Sequence, residues 1–229
     1  MKIYDITRTL QDAPVYSGDP APVIEELESP GAGARCSRIT AGSHSGTHAD
    51  AFSRFLVDGL TVDKMPLELY CGPCRVLTVP AEELVKQEDL QGRLGGAERL
   101  VLRSGGKAFL CEEAAEYIAG CGVRALVTDA VSVGPADNEV AVHHILMESG
   151  VAIIENAVLD GVPDGDYLLF AFPAKYGGCD GAPVRAVLLC EGEEETNAAG
   201  PENAGEASAA EEKFLRAAPA ALDNPGPAD

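Results

Sequence analysis

Leu100–Leu159 reads LVLRSGGKAFLCEEAAEYIAGCGVRALVTDAVSVGPADNEVAVHHILMESGVAIIENAVL. Three runs rich in Val, Leu and Ile, at Leu100–Arg103, Arg124–Val133 and Val151–Leu159, have strand character. Two helical runs lie between them. Glu112–Ala119 is followed by Gly120 and Glu139–Ser149 by Gly150, each glycine placed where a helix C′ residue belongs. The order strand, helix, strand, helix, strand is α/β patterning. Working outward, Arg75–Val79 on one side and Asp166–Ala174 and Val184–Cys190 on the other also read as strands. The first 75 residues are less regular, with many Gly and Pro, and no internal repeat is visible.

The composition breaks near residue 190. Residues 191–229 hold ten acids against two bases and are rich in Ala, Glu, Gly and Pro. Phe214, Leu215 and Leu222 are the only large apolar side chains there. Such a segment buries too little surface to offset its ordering entropy. It is expected to be a disordered acidic tail, with AAEEKFLRAA as a short helical candidate. Residues 1–190 are expected to form a single α/β domain, and a chain of 229 residues that is 46% hydrophobic can build a real core.

The formal charge of −20 argues against nucleic acid or an anionic membrane as partner, since little is present to neutralise phosphates in bulk. It leaves room for a small anion held by one or two local cations. No apolar run reaches the about 18 residues of a membrane span, and the N-terminus MKIYDITRTLQDAP lacks the apolar core of a signal peptide. Seven scattered cysteines read as reduced thiols and point to the cytoplasm.

All four histidines fall in two pairs, His44 with His48 and His143 with His144. The first pair sits in Ser43-His44-Ser45-Gly46-Thr47-His48-Ala49-Asp50. On a straight strand the two imidazoles would stand about 13 Å apart. On a straight helix Asp50 would point roughly 200° away from His48. Only a bent segment gathers all three, and Gly46 permits the bend, so the motif is expected on a turn or a loop-to-helix junction. Two imidazoles and a carboxylate suit Zn²⁺, Mn²⁺ or Fe²⁺; polar loop residues making local hydrogen bonds are the alternative. Twelve residues after His143, Glu155 lies inside the apolar run 151–159. Buried alone it would be costly, so it faces solvent, pairs with a cation or binds a metal.

Taken together, the motifs resemble a known family. His44-Ser45-Gly46-Thr47-His48-Ala49-Asp50 is similar to the H-x-G-T-H-x-D signature of the metal-dependent cyclase-like hydrolases, which include bacterial kynurenine formamidase and isatin hydrolase. Asp5-Ile6-Thr7, Tyr16-Ser17-Gly18-Asp19-Pro20, Gly72-Pro73-Cys74-Arg75-Val76 and Asp180-Gly181-Ala182-Pro183-Val184-Arg185 resemble further family segments in the same order. The resemblance covers most of residues 1–190. It implies a swivelling β/β/α cyclase-like fold and a site for one or two divalent metals, zinc first and manganese as the alternative. By resemblance His44, His48 and Asp50 ligate one metal, Asp50 bridges, and His143 and Glu155 complete a second. His144 matches no family ligand and is expected to pack. The resemblance further implies a homodimer or homotetramer, a small-molecule amide or carboxylate as partner, and a place in tryptophan catabolism. Tyr16 stands where the family often has a stacking Trp, and with Phe52 it is expected to wall an aromatic pocket.

One departure bears on chemistry. The family motif continues D-x-P-x-H-F, whereas here the stretch is Asp50-Ala51-Phe52-Ser53-Arg54-Phe55. Arg54 therefore occupies the position of the family's acid/base histidine. Imidazole passes protons near neutral pH; guanidinium cannot act as a base but can hold an oxyanion or a carboxylate. Proton delivery would fall to Asp50, Glu155 or water. Three readings stand: an altered hydrolase whose Arg54 binds an anionic substrate, a competent hydrolase with a rearranged proton path, or a metal-dependent binder of small carboxylates. The substrate is an aryl formamide such as N-formylkynurenine, or a cyclic amide of the isatin kind.

Other signals read as structural. Cys71-Gly72-Pro73-Cys74 matches a redox dithiol but runs directly into a strand and is expected to form a tight turn. Arg103-Ser104-Gly105-Gly106-Lys107 lacks phosphate-loop spacing. Asp129, near Ser132, is expected to cap the turn that follows it, and Arg185 to pair with Asp180 or another acid at the core edge.

Overall fold

The computed structural model describes residues 1–16, 18–27, 34–80 and 84–191, all within one unit, Met1–Gly192. The acidic tail expected over residues 191–229 lies, after Glu191, outside the described residues. Eleven strands run in chain order as β1 (Lys2–Asp5), β2 (Val23–Leu27), β3 (Cys36–Thr40), β4 (His48–Asp50), β5 (Cys71–Thr78), β6 (Arg99–Arg103), β7 (Ala125–Thr128), β8 (Ala152–Glu155), β9 (Gly165–Phe170), β10 (Gly181–Pro183) and β11 (Val187–Cys190). The helices are α1 (Gln87–Leu90), α2 (Glu112–Gly120) and α3 (Glu139–Glu148). No helix among the described residues is long and apolar enough to cross a membrane.

Nine strands form one sheet in the order β1-β11-β9-β5-β6-β7-β8-β4-β10, and β2 and β3 make a separate hairpin. The centre, β5 to β8, is parallel, and α1, α2 and α3 lie in its three crossovers. The flanks are antiparallel. Parallel strands need crossovers, and crossovers bring helices that cover a face. Alternation along the strands then sorts the side chains. Leu100, Leu102, Leu126 and Ile153 pack with Ala114, Ile118, Val142 and Leu146 of the helices. Their neighbours Val101, Val127 and Ile154 point to the opposite face, where the sheet closes on Ile6, Tyr70, Leu169 and Leu188.

The α/β pattern and the order of elements agree with the sequence reading, while several boundaries differ. The Cys71–Cys74 segment is no turn: it begins β5, its backbone taken up by pairing with β9 from Cys71↔Phe170 onward. Helix α2 runs through Gly120, and Gly122, at φ +80, is the residue that turns left-handed after it. The runs 124–133 and 151–159 carry strand only over Ala125–Thr128 and Ala152–Glu155. In the second, Asn156 turns into the left-handed region at φ 59, which a short polar side chain tolerates better than a branched one.

Leu126, fully buried at the middle of β7, touches the helix layer. Leu126→Ala is expected to cost about 2–5 kcal/mol of unfolding free energy. Urea unfolding of the variant checks this; a loss under about 1 kcal/mol would mean that the layer rearranges freely.

Candidate metal centre

The bend in the histidine motif is a turn that enters a strand, not a helix. Residues 43–47 form the turn, Gly46 has φ +72, and His48–Asp50 is β4. Because strand side chains alternate, Ala49 faces the closed core while His48 and Asp50 face the other way. β4 pairs antiparallel with β8, which sets His48 directly opposite Glu155. Helix α3 then presents His143 to the same place, and Phe55 stacks on its ring at 4.4 Å.

These four side chains are almost wholly buried: His48 is 2% exposed, Asp50 and His143 0%, and Glu155 1%. His48 Nε2 lies 3.5 Å from Asp50 Oδ1 and 3.4 Å from Glu155 Oε2. His143 Nε2 lies 3.5 Å from Asp50 Oδ2 and 3.3 Å from Glu155 Oε1. Each ring has its other nitrogen fixed by a carbonyl: His48 Nδ1 against Gly46 O at 2.9 Å, and His143 Nδ1 against Glu139 O at 2.8 Å. With Nδ1 donating, Nε2 is left as a lone-pair acceptor aimed inward. Glu155 Oε1 also accepts the Val133 N–H at 2.8 Å, which fixes the carboxylate.

Three of the inward atoms, His48 Nε2, Asp50 Oδ2 and His143 Nε2, have no hydrogen-bond partner. Buried polar atoms are rarely left so. A tetrahedral ion with arms of about 2.0–2.1 Å has edges of about 3.3–3.4 Å between ligand atoms, close to the separations here. The donor set of imidazole and carboxylate suits such an ion. Two groups of three donors meet the requirement, His44 with His48 and Asp50, and Asp50 with His143 and Glu155, so Asp50 is common to both.

His44 differs from the other two imidazoles. Its Nδ1 lies 2.8 Å from Asp50 Oδ1 and its Nε2 2.9 Å from Asp180 Oδ2. Gly181 makes room for this ring, since a Cβ there would come within 2.4 Å of His44 Cε1. Asp180 is the site residue that sequence reasoning missed as such. Of the two partners expected for Arg185, Asp180 or another acid at the core edge, it takes the second, holding Asp5 at 2.5 Å, and Asp180 takes His44 and Ser43. The signal was the D-G-x-P pattern, which puts Asp180 just before a β10 paired to β4.

Arg54, in a short 3₁₀ turn after β4, donates to Asp50 Oδ1 at 3.2 Å. Tyr16 donates from its phenol to Glu139 Oε2 at 2.6 Å, and Ser132 Oγ donates to Glu139 Oε1 at 3.1 Å. Phe52 packs half-buried against both apolar cores. His144 stays outside, half-exposed beside Glu148. Asp129 does cap a turn, but the one at 104–105 on the neighbouring strand's end, through the N–H groups of Ser104 and Gly105. Burial pushes the Cys74 thiol up to about 12, which makes it a poor redox nucleophile.

The charges respond strongly to one another. Burial disfavours imidazolium at His48 and His143, but Asp50 and Glu155 outweigh it and push both up to about 10. Burial works against the Asp50 carboxylate too, yet His143, His44 and His48 hold it well below its ordinary range. Glu155 is lowered in the same manner, against burial and Asp50, by His143 and His48. Raised imidazoles stabilise the folded state fully below the unfolded value near 6.5 and lose that contribution as pH climbs through about 10. Metal-stripped protein is therefore expected to lose thermal stability across that window, while metal-loaded protein, its imidazoles already neutral, stays level. Calorimetric scans with chelator and with zinc check this; a flat profile for the stripped protein would contradict the geometry.

The sequence model of the Cyclase family matches residues 4–135. A kynurenine formamidase of Maricaulis maris is 38% identical over 203 residues, covering 82% of this chain and 97% of the relative. A solved structure described as a "predicted metal-dependent hydrolase" from Bacillus stearothermophilus superposes with TM-score 0.71 at 29% identity, covering 82% of this chain and 97% of the other. Isatin hydrolase A from Labrenzia aggregata shares the fold, with TM-score 0.69 at 21% identity over 82% of this chain and 93% of its own. Buried donors converging from a turn, β4, α3 and β8, on a sheet shared with these proteins, belong to a chain that is a member of the cyclase-like metal-dependent hydrolase family.

Proposed function

We propose that the protein is a metal-dependent hydrolase of a non-peptide C–N amide bond, acting on an aryl formamide of the N-formylkynurenine kind. The observation that carries this reading is the convergence of unpartnered His48 Nε2, Asp50 Oδ2 and His143 Nε2 in a chain 38% identical to a kynurenine formamidase. Either ligand group would hold the ion: His44, His48 and Asp50, or Asp50, His143 and Glu155. Zinc is the first choice and manganese the second, with one or two ions per subunit. The ion would supply Lewis acidity, acidifying water and polarising the amide carbonyl.

The chain's own side chains do the rest. Arg54, partly exposed and in contact with Asp50, presents a fixed cation to a developing oxyanion or to a substrate carboxylate. It cannot take a proton. Asp50 and Glu155, both lowered, are poor proton donors, which leaves water to protonate the leaving amine. Tyr16, tethered by Glu139, and Phe52 supply the aromatic wall. The odd number of scattered cysteines in the sequence supports a cytoplasmic location.

Metal analysis of the purified protein and a formate-release assay on N-formylkynurenine, with added Zn²⁺ or Mn²⁺, test the reading. Turnover is expected. Arg54→His is expected to raise it by about tenfold or more, up to the roughly 10²–10⁴ that an acid/base group contributes. A metal-loaded variant no faster than the parent would show that Arg54 is not limiting. A second reading, a metal-dependent binder of a small carboxylate, is favoured by the Arg54–Asp50 contact. It predicts bound metal without turnover on formyl or cyclic amides.

An exposed apolar patch on the sheet supports a homodimer or homotetramer as part of this reading. Helices cover the face of β5 to β8 only. On the same face of β1, β11 and β9, Ile3, Leu189, Leu168 and Phe170 form a bare apolar patch, with Ile3 58% and Leu168 45% exposed. A second copy packing there would cover it. Leu168→Lys is expected to shift the protein toward monomer in light scattering; an unchanged mass would place the interface elsewhere.

A further inference from the structure

A cavity of about 660 Å³ lies beside the 42–47 turn. None of the five metal-donor side chains lines it. Its wall includes Arg8, Leu10, Ile39, Ser45, Tyr176 and Val184. The volume suits a small organic molecule. The wall is mostly apolar, with one permanent cation.

That cation is the unusual feature. The chain carries 37 acids against 17 bases, so carboxylates are plentiful. Nine other described arginines each pair with a carboxylate within 3.7 Å. Among the described arginines Arg8 alone has no such partner. Its Nη2 reaches only the Ala157 carbonyl at 3.4 Å, and its Nε is buried with no acceptor. Its place is fixed from the backbone, whose N–H donates to Thr47 Oγ1 at 2.8 Å. Thr47 in turn donates to the Asn156 carbonyl at 2.7 Å, so the anchor is tied to the end of β8. A guanidinium with free donors recognises planar anions through paired hydrogen bonds.

We propose that this cavity is a binding site for a small carboxylate with an apolar body, its carboxylate on Arg8 and its body against Leu10, Ile39, Tyr176 and Val184. The site is separate from the metal centre and stands independently of the proposed reaction.

Benzoate is the probe and benzamide its neutral counterpart, each titrated calorimetrically into the full chain after divalent metal is stripped with chelator. Benzoate is expected to bind and benzamide to bind about tenfold or more weaker. Arg8→Gln is expected to weaken benzoate by about tenfold or more, and Arg8→Lys to retain part of the affinity. Ala41→Trp fills the cavity from its wall without touching the charge and is expected to abolish binding. Arg54→Gln, at the metal centre, is expected to leave it intact. The proposal is overturned if the parent fails to bind benzoate at about 10 mM, if Arg8→Gln or Ala41→Trp binds it as the parent does, or if Arg54→Gln is the variant that loses it.

Discussion

Two carboxylates and two imidazoles sit together inside this protein, between the paired strands β4 and β8 and a helix, with almost no access to water. Any one of them buried alone would be prohibitive, since desolvating a single charge costs several kcal/mol even after relaxation. The arrangement is tolerable because the four are mutually compensating. Without an ion, His48 and His143 as imidazolium balance Asp50 and Glu155. With one divalent ion, its two charges would take over that balance and the imidazoles would be neutral. The set would then be electrically closed in both states, and loading would exchange two protons for one ion.

The topology follows from the need to bring the four together. β8 ends the parallel run, and α3 is the crossover that precedes it, so His143 and Glu155 are delivered by neighbouring pieces of one βαβ unit. His48 and Asp50 come from far earlier in the chain, on a strand of three residues added antiparallel to β8. So short a strand cannot fix its own place. It is held on both edges, by β8 and by β10, and β10 brings Asp180 to His44. A one-residue slip would turn His48 and Asp50 to the opposite face and Ala49 toward the charges. The turn at Gly46, the pairing with β10 and the tether from Thr47 to Asn156 all act against that slip.

Much of this was legible in the sequence. The helical runs at 112–119 and 139–149 and the strand at 100–103 show because they bury one face or both against neighbours, which imposes a pattern on the residues. Four of the five donors were legible because a glutamate within Val151–Leu159 and three potential ligands between His44 and Asp50 have few inexpensive explanations, while His143 came from the family resemblance. What was not legible depends on pairing between distant segments. Cys71–Cys74 looks like a turn because it contains Gly and Pro, yet its partner β9 lies nearly a hundred residues later and makes it a strand. Asp180 and Asp5 are both acids near Arg185, and local sequence cannot show that β1 lies beside β11 and takes the arginine. Asp129 reaches across to the end of a neighbouring strand for the same reason.

Arg54 alters the electrostatics more than the architecture. A neutral histidine in its place would leave a singly loaded centre uncharged. Arginine leaves it with one net positive charge, in a chain whose formal charge is −20. The guanidinium is anchored on Asp50, so the charge is fixed in direction and does not vary with pH. On the proposed function, the guanidinium would act as an electrostatic clamp on whatever negative charge the substrate brings or the reaction develops. Neutral amides gain from that clamp only as their carbonyl oxygen becomes anionic, whereas amides that also carry a carboxylate gain on binding as well. On the proposed function, the cation at Arg54 would favour anionic amides, and the proton for the leaving group would come from the solvent.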